Sequence, residues 1–344
     1  MNSRERVQAV LAGEIPDRAP VCLHNSHLAS AQAGIGMAQY RRDPKAIAQA
    51  HLLALERYGQ DSLYLTIDTA LLAEAMGSKS EYRDNDPARV VAPAIQSLDE
   101  VDRLKVTNPA ADGRIPVLVE ATQLVAQQVG WEVAVRAGAD QGPFDLACLV
   151  LGIDNFLSAL ACEPDHPGIK RLMDVCYQSH LALHRALINA GAHYTSSGES
   201  LAGPDVVSPA MYERFARPYQ EKMVKQLAAE GIFTVIHICG DTTKILKSLA
   251  EYDYCGFEFD HKTDAIAAKQ TVGAGHVLFG NVEPSAVLAL GTPTLVRQKT
   301  RELISVWKPQ GRFVLNSGCA LPSSTPPENI RAFIETAHEF GIYK

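Results

Sequence analysis

The chain has 344 residues, 47% hydrophobic and 21% charged, enough apolar content to bury a large core, and its length suits a single α/β barrel with insertions. A formal net charge of -7 offers no general attraction to nucleic acid or to an anionic membrane, and no apolar run is long enough for a signal peptide or a transmembrane span. Seven cysteines, an odd number without framework spacing, fit a reducing cytoplasm better than a disulfide scaffold.

In chain order, short apolar runs alternate with helical patterns, the signature of parallel α/β architecture. After an amphipathic start and a turn, strands are expected at Ala19 to Leu23, Ser62 to Ile67, Glu132 to Arg136, His193 to Ser196, Phe233 to His237, Gly256 to Asp260, His276 to Phe279 and Arg312 to Leu315. Eight is the number that closes a (β/α)8 TIM barrel. Helices are expected over Pro44 to Tyr58, with Gly59 as a stop, over Ile115 to Val129 and over Phe144 to Leu160. The last helix opens on a capping-box pattern of Thr325 and Glu328, carries the stripe Ile330, Phe333, Ile334 and Ala337, and ends at Gly341. Without linkers or fixed-period repeats, the chain reads as one domain over 1–344. Ala70 to Arg114, rich in turn formers such as Gly77, Asp84, Asn85, Asp86 and Pro87, reads as an excursion after strand 2, beside the barrel mouth.

In such a barrel the chemistry belongs at the carboxyl ends of the strands. The polar residues just past those ends are His24, Asp68, Asp140, Glu199, His237, Cys239, Asp260, His261, Asn281, Asn316 and Cys319. Any one of them can equally be a turn former or cap. In VIHICGDTTKIL, from Val235 to Leu246, period-two geometry puts His237 and Cys239 on one face. With Cys319 of LNSGCALP they supply one nitrogen and two sulfurs, leaving a fourth tetrahedral position for an exchangeable group, as catalytic zinc requires. A His-x-Cys pair alone is equally compatible with a cysteine packed as a small hydrophobe. Cys22, Cys148, Cys162, Cys176 and Cys255 read as packing, and Gly280 as a point where backbone approaches a ligand.

The strings HICGDTTKIL, GNVEP (Gly280 to Pro284) and SGCALPSSTPPENI (Ser317 to Ile330) resemble the uroporphyrinogen decarboxylase superfamily, and within it the cobalamin-dependent methyltransferases, including methylcobalamin:coenzyme M methyltransferases. IPDRAPV, TIDTALLAEAMG, GPFDLACLVLG and SPAMYERFARPY extend the likeness over nearly the whole chain. The resemblance implies a (β/α)8 barrel with zinc held by a His-x-Cys pair and a distant Cys, positions filled here by His237, Cys239 and Cys319. The decarboxylases carry an Arg-rich N-terminal motif, whereas Pro20 to Gly36 contains no arginine. Asp68 matches the aspartate that holds pyrrole nitrogens in the decarboxylases.

The expected activity is methyl transfer between a corrinoid (cobalamin) and a zinc-activated thiol. Two alternatives stay open: corrinoid-dependent O-demethylation of a methyl ether with zinc as Lewis acid, and a metal-free decarboxylase using Asp68. A non-catalytic corrinoid-binding protein is a further possibility. Glu199 is expected as a fourth zinc ligand or as the base that takes the thiol proton, and His24, Asp260 and Asn281 as substrate or supporting groups. No Asp-x-His-x-x-Gly segment marks a corrinoid-binding module, so the expected partners are a separate corrinoid protein and a small thiol or methylated substrate.

Overall fold

The computed structural model describes residues 1–83 and 87–343. Asp84, Asn85 and Asp86, part of the expected excursion, lie outside them. Eight parallel strands, Cys22–Leu23, Ser62–Leu65, Ala134–Gln141, Tyr194–Gly198, Thr234–Ile238, Gly256–Phe259, Val277–Val282 and Phe313–Ser317, are hydrogen-bonded in chain order. A parallel bridge from Val21 to Leu315 joins the first strand to the eighth, giving a (β/α)8 barrel with helices outside. All eight strands fall where the apolar runs place them, with shifts at the ends. The third runs on to Gln141 because Arg136, which reads as a charged terminus, points inward and finds a partner there.

Period-two alternation sorts the strand residues into two layers. Ile236, Ile238, Phe257, Phe259, Leu278 and Leu315 belong to the large core between sheet and helices. Cys22, Tyr64, Ala134, Tyr194, Val235, Val277, Phe279 and Val314 fill the barrel interior, where Val7 and Val10 of the helix Ser3–Leu11 join them. That helix plugs the amino end of the barrel, and the cavity described below lies toward the other end.

Several local expectations need correction. The helix expected over Phe144 to Leu160 is two helices, Pro143–Leu151 and Ile153–Cys162, bent by 108° at the break. Gly152 at the break has φ +95°, a conformation that favours glycine, and apolar periodicity continues through such a break without a signal. The capping box before the last helix does not form: Thr325 Oγ1 donates instead to the Pro322 carbonyl at 2.7 Å, and Pro326 is the cap of Pro327–Phe340. Cys162, expected as packing, is exposed at its helix end, whereas Cys22, Cys148, Cys176 and Cys255 are buried. A Cβ on Gly280 would meet the Phe259 carbonyl at 2.7 Å, so the close approach there is to the neighbouring strand rather than to a ligand.

After strand 2 the segment 70–114 holds the short helix Leu71–Ala75, a hairpin of Lys79–Glu81 with Arg89–Ala92, and a 3₁₀ turn at Leu98–Arg103. It meets the mouth through Pro87, which lines the cavity described below, through Arg114 and Ala70 N, which reach Asp68, and through Leu72 N, which reaches Asp140.

Candidate metal centre and cavity

The fifth strand ends on His237 and Cys239, and the turn after them is tied down when Gly240 N donates to Asp260 Oδ2 at 2.9 Å. The eighth strand ends at Ser317, and Gly318 then passes close to the sixth-strand turn, where a Cβ would meet His261 N at 2.5 Å. A side chain at that position would push the backbone away, so glycine lets Cys319 turn toward the fifth strand. The Ser317 hydroxyl holds the turn by donating to the Cys319 carbonyl at 2.7 Å.

These turns bring three dispersed side chains together. His237 Nε2 lies 3.0 Å from Cys239 Sγ, and Cys239 Sγ lies 3.9 Å from Cys319 Sγ. One ligand atom from each of the three lies within 4.8 Å of the others. The other ring nitrogen, His237 Nδ1, is 2.9 Å from the Glu258 carbonyl, an acceptor, which makes Nδ1 the protonated atom and leaves Nε2 to face the sulfurs. The neighbouring Ser200 hydroxyl donates to Cys239 Sγ at 3.1 Å.

Proton affinities follow from this packing. Burial works against charge on His237, yet the Cys239 sulfur and Glu258 raise it to about 10. Cys239 is lowered, first by the hydrogen bond from Cys319 and then, against burial, by His237 and Ser200. Cys319 is raised, first because it shares that hydrogen bond and then by burial. Positive charge is thus already held among two sulfurs and an imidazole, which suits the donor set to a soft or borderline divalent cation.

Beneath the cluster, Glu258 forms the support. It is fully buried, pairs with the equally buried Arg136 and accepts from His24 Nδ1 at 3.1 Å, while His237 Nδ1 lies 3.8 Å from its carboxylate. Burial alone would raise its pKa, but Arg136, His24 and His237 hold it well below the usual carboxylate range. The Arg136 guanidinium stacks over Tyr64, 4.1 Å from the ring centroid, and Tyr64 packs edge-on against His24 at 4.7 Å. The reading of the sequence missed Glu258, Arg136 and Ser200. The single acid inside the apolar run GFEF was the one available signal.

The cluster opens onto a cavity of about 180 Å³ lined by residues including His24, His27, Asp68, Asp140, Gln141, His237, Cys239 and Cys319. Not every anticipated residue reaches it. Asp68 does, but its carboxylate takes Arg114 at 2.7 and 3.3 Å, Ala70 N at 3.0 Å and Arg41 Nε at 3.7 Å. Glu199 is buried behind the wall, where Oε2 accepts from Asp145 N at 3.3 Å; burial and the neighbouring Asp145 carboxylate hold it well above its ordinary pKa. Asp145 in turn accepts from Leu201 N at 3.0 Å, so the acid pair fixes the turn that carries Ser200. Asp260 is spent on Gly240 N and Lys262 N, and Asn281 Nδ2 donates to the carbonyls of Asp260 and Thr263. Both stand behind the turns that carry Cys239 and Cys319 rather than on the cavity.

A family model described as uroporphyrinogen decarboxylase (URO-D) matches residues 2–340. The chain is 26% identical over 347 residues, covering 98% of each protein, to "Methylcobamide:CoM methyltransferase MtaA" of Methanosarcina barkeri. It is 27% identical over 323 residues, 89% of this chain and 91% of the relative, to "Uroporphyrinogen decarboxylase" of Syntrophotalea carbinolica. Among solved structures, "methyltransferase from Methanosarcina mazei" superposes with a TM-score of 0.90 at 25% identity, covering 99% of each chain.

Proposed function

The chain belongs to the uroporphyrinogen decarboxylase (URO-D) family, and from that premise we propose that it is a zinc-dependent enzyme that moves a methyl group between a corrinoid and a thiol. The observation that carries the reading is the convergence of His237 Nε2, Cys239 Sγ and Cys319 Sγ at the cavity wall. These three side chains would hold the ion and leave a fourth position facing the cavity. Zinc there would supply positive charge that keeps a bound thiol as its thiolate, the nucleophile, at neutral pH. In the direction of thiol methylation the carbon–sulfur bond forms as the carbon–cobalt bond breaks, with the electron pair staying on the corrinoid.

The remaining residues orient and exclude. Glu258, held ionised by Arg136, fixes His24, and its backbone carbonyl fixes the His237 tautomer. Ser200 steadies Cys239. A cavity of about 180 Å³ is below the ~300–1,000 Å³ of drug-sized sites and admits only a small molecule. The corrinoid must therefore present its reactive face from the mouth, in keeping with delivery by a separate corrinoid protein. The same size disfavours a tetrapyrrole, and Asp68, committed to Arg114 and Ala70, has little left to offer pyrrole nitrogens. We assign Asp68 to shaping the cavity wall, and Glu199 to positioning Ser200 through Asp145 rather than to direct proton transfer.

The test is metal analysis together with the methylcobalamin spectrum in the presence of a panel of small thiols. About one zinc per chain and thiol-dependent loss of the methyl-cobalt absorbance are expected. Loss of a ligand's supporting group alone costs ~10–100-fold, so Cys319→Ala should lower the rate more than about 100-fold while the circular dichroism stays native. Metal-free active protein, or no spectral change with any thiol, would sink the reading.

A further inference from the structure

The cavity lining away from the three ligand candidates says what the non-reacting end of the small molecule carries. Among the described lining residues there is no lysine or arginine. The two nearby guanidiniums are committed elsewhere: Arg114 forks over Asp68 and reaches Glu74 at 2.8 Å, while Arg41 faces Asp68 at 3.7 Å and donates to the Arg83 carbonyl at 2.8 Å. Of the lining histidines outside the cluster, His24 is paired with Glu258, and His27 is held toward its neutral form, first by burial and then by Arg41.

What the wall does offer is an acceptor. Asp140 is 6% exposed and lines the cavity; its Oδ2 accepts from Leu72 N at 2.6 Å, and its Oδ1 has no hydrogen-bond partner among the described residues. A buried carboxyl oxygen left without a donor is costly unless something supplies one. Burial first, and then the neighbouring Asp68 carboxylate, raise this group to about 8 against the opposing pull of Leu72 N and Arg114. A sulfonate or carboxylate entering the same space would lose its hydration without gaining a countercharge.

We propose that the small substrate is an aminothiol or its S-methyl derivative, whose sulfur faces His237, Cys239 and Cys319 while its ammonium is received by Asp140. The inference rests on the methyl-transfer reading for the sulfur end and on the wall alone for the other. It separates this chain from relatives whose printed names specify CoM, which is a thiol carrying a sulfonate.

The test uses the full-length zinc-loaded protein, methylcobalamin and three thiols with the same two-carbon spacer: 2-aminoethanethiol, 2-mercaptoethanol and 2-mercaptoethanesulfonate. The amine should exceed the sulfonate in kcat/KM by at least about tenfold. In Asp140→Asn, which keeps an acceptor for Leu72 N and tolerates the φ of +64° at this position, the amine-to-sulfonate ratio should collapse toward one. Comparing that ratio between the unmodified protein and the variant cancels differences in intrinsic thiol reactivity. Calorimetric binding of the same three compounds to the unmodified protein gives the order without requiring turnover or a folded variant. If no thiol is methylated, the methyl-transfer reading fails while the binding order still decides this one: at least about tenfold tighter binding of the amine than of the sulfonate upholds it. Equal or tighter binding of the sulfonate, a neutral thiol bound best of the three, or an unchanged ratio in a folded Asp140→Asn overturns it.

Discussion

The two ends of the barrel use carboxylates in opposite ways. At the amino end Asp61 is completely buried, and its two oxygens accept five hydrogen bonds, from Ser3, Arg6, twice from Arg18, and from Val21 N, at 2.6 to 2.9 Å. The plug helix, the first strand and the second strand are fastened by one side chain whose capacity is used up. At the carboxyl end Asp140 Oδ1 and His27 Nε2 are buried without partners among the described residues, and His237 and Cys319 are held to the cluster by two hydrogen bonds that meet at the Cys239 sulfur. A saturated network stabilises the fold, and an unsaturated one marks where something else binds.

The comparison is broken most forcefully at the saturated end. Asp61→Ala leaves Arg6 and Arg18 facing a hole and Val21 N without its acceptor. Removing one member of a buried pair costs ~3–5 kcal/mol, and denaturant unfolding should read a loss of that size. Metal content and transfer rate of the protein that remains folded should be unchanged. A loss of zinc without loss of stability would mean that the two ends are not separable in this way.

Glu258→Gln tests the middle, where the fold's pair and the site's support are the same residue. The variant keeps the backbone carbonyl that orients His237 but leaves Arg136 without its countercharge. Supporting groups of this kind change metal affinity by ~10–100-fold, which competition against a chromophoric chelator would measure. Adding Arg136→Met removes the uncompensated buried charge and should recover part of the lost stability, yet should not restore zinc affinity. Recovery of both together would show that Glu258 acts on the metal only through the fold.

How much of this was legible in the sequence follows from the same contrast. Strand positions were readable because apolar runs have local causes, and His237, Cys239 and Cys319 were readable because strand ends in a barrel converge. Glu258 and Arg136 were not: their pairing depends on the register of the third and sixth strands across a closed interior, and singly Arg136 reads as the charged limit of an apolar run and Glu258 as a lone acid within one. Glu199 was placed on the site by its position after the fourth strand, but its carboxylate is buried and accepts from Asp145 N at the start of the helix Pro143–Leu151, behind the cavity wall. Ser200, the next residue, takes the place facing the metal cluster.

Ser200→Ala therefore sharpens the comparison at its finest grain. The hydroxyl makes one hydrogen bond to Cys239 Sγ at 3.1 Å, and a single bond of this kind contributes about 1 kcal/mol net. The acid pair behind it stays satisfied, because Leu201 N still donates to Asp145. Zinc affinity and transfer rate should each fall by no more than about fivefold, and unfolding should lose no more than about 1 kcal/mol. A loss as large as that of Glu258→Gln would instead place Ser200 among the groups that touch the reacting sulfur, and would extend the unsaturated end of the barrel to the loop after the fourth strand.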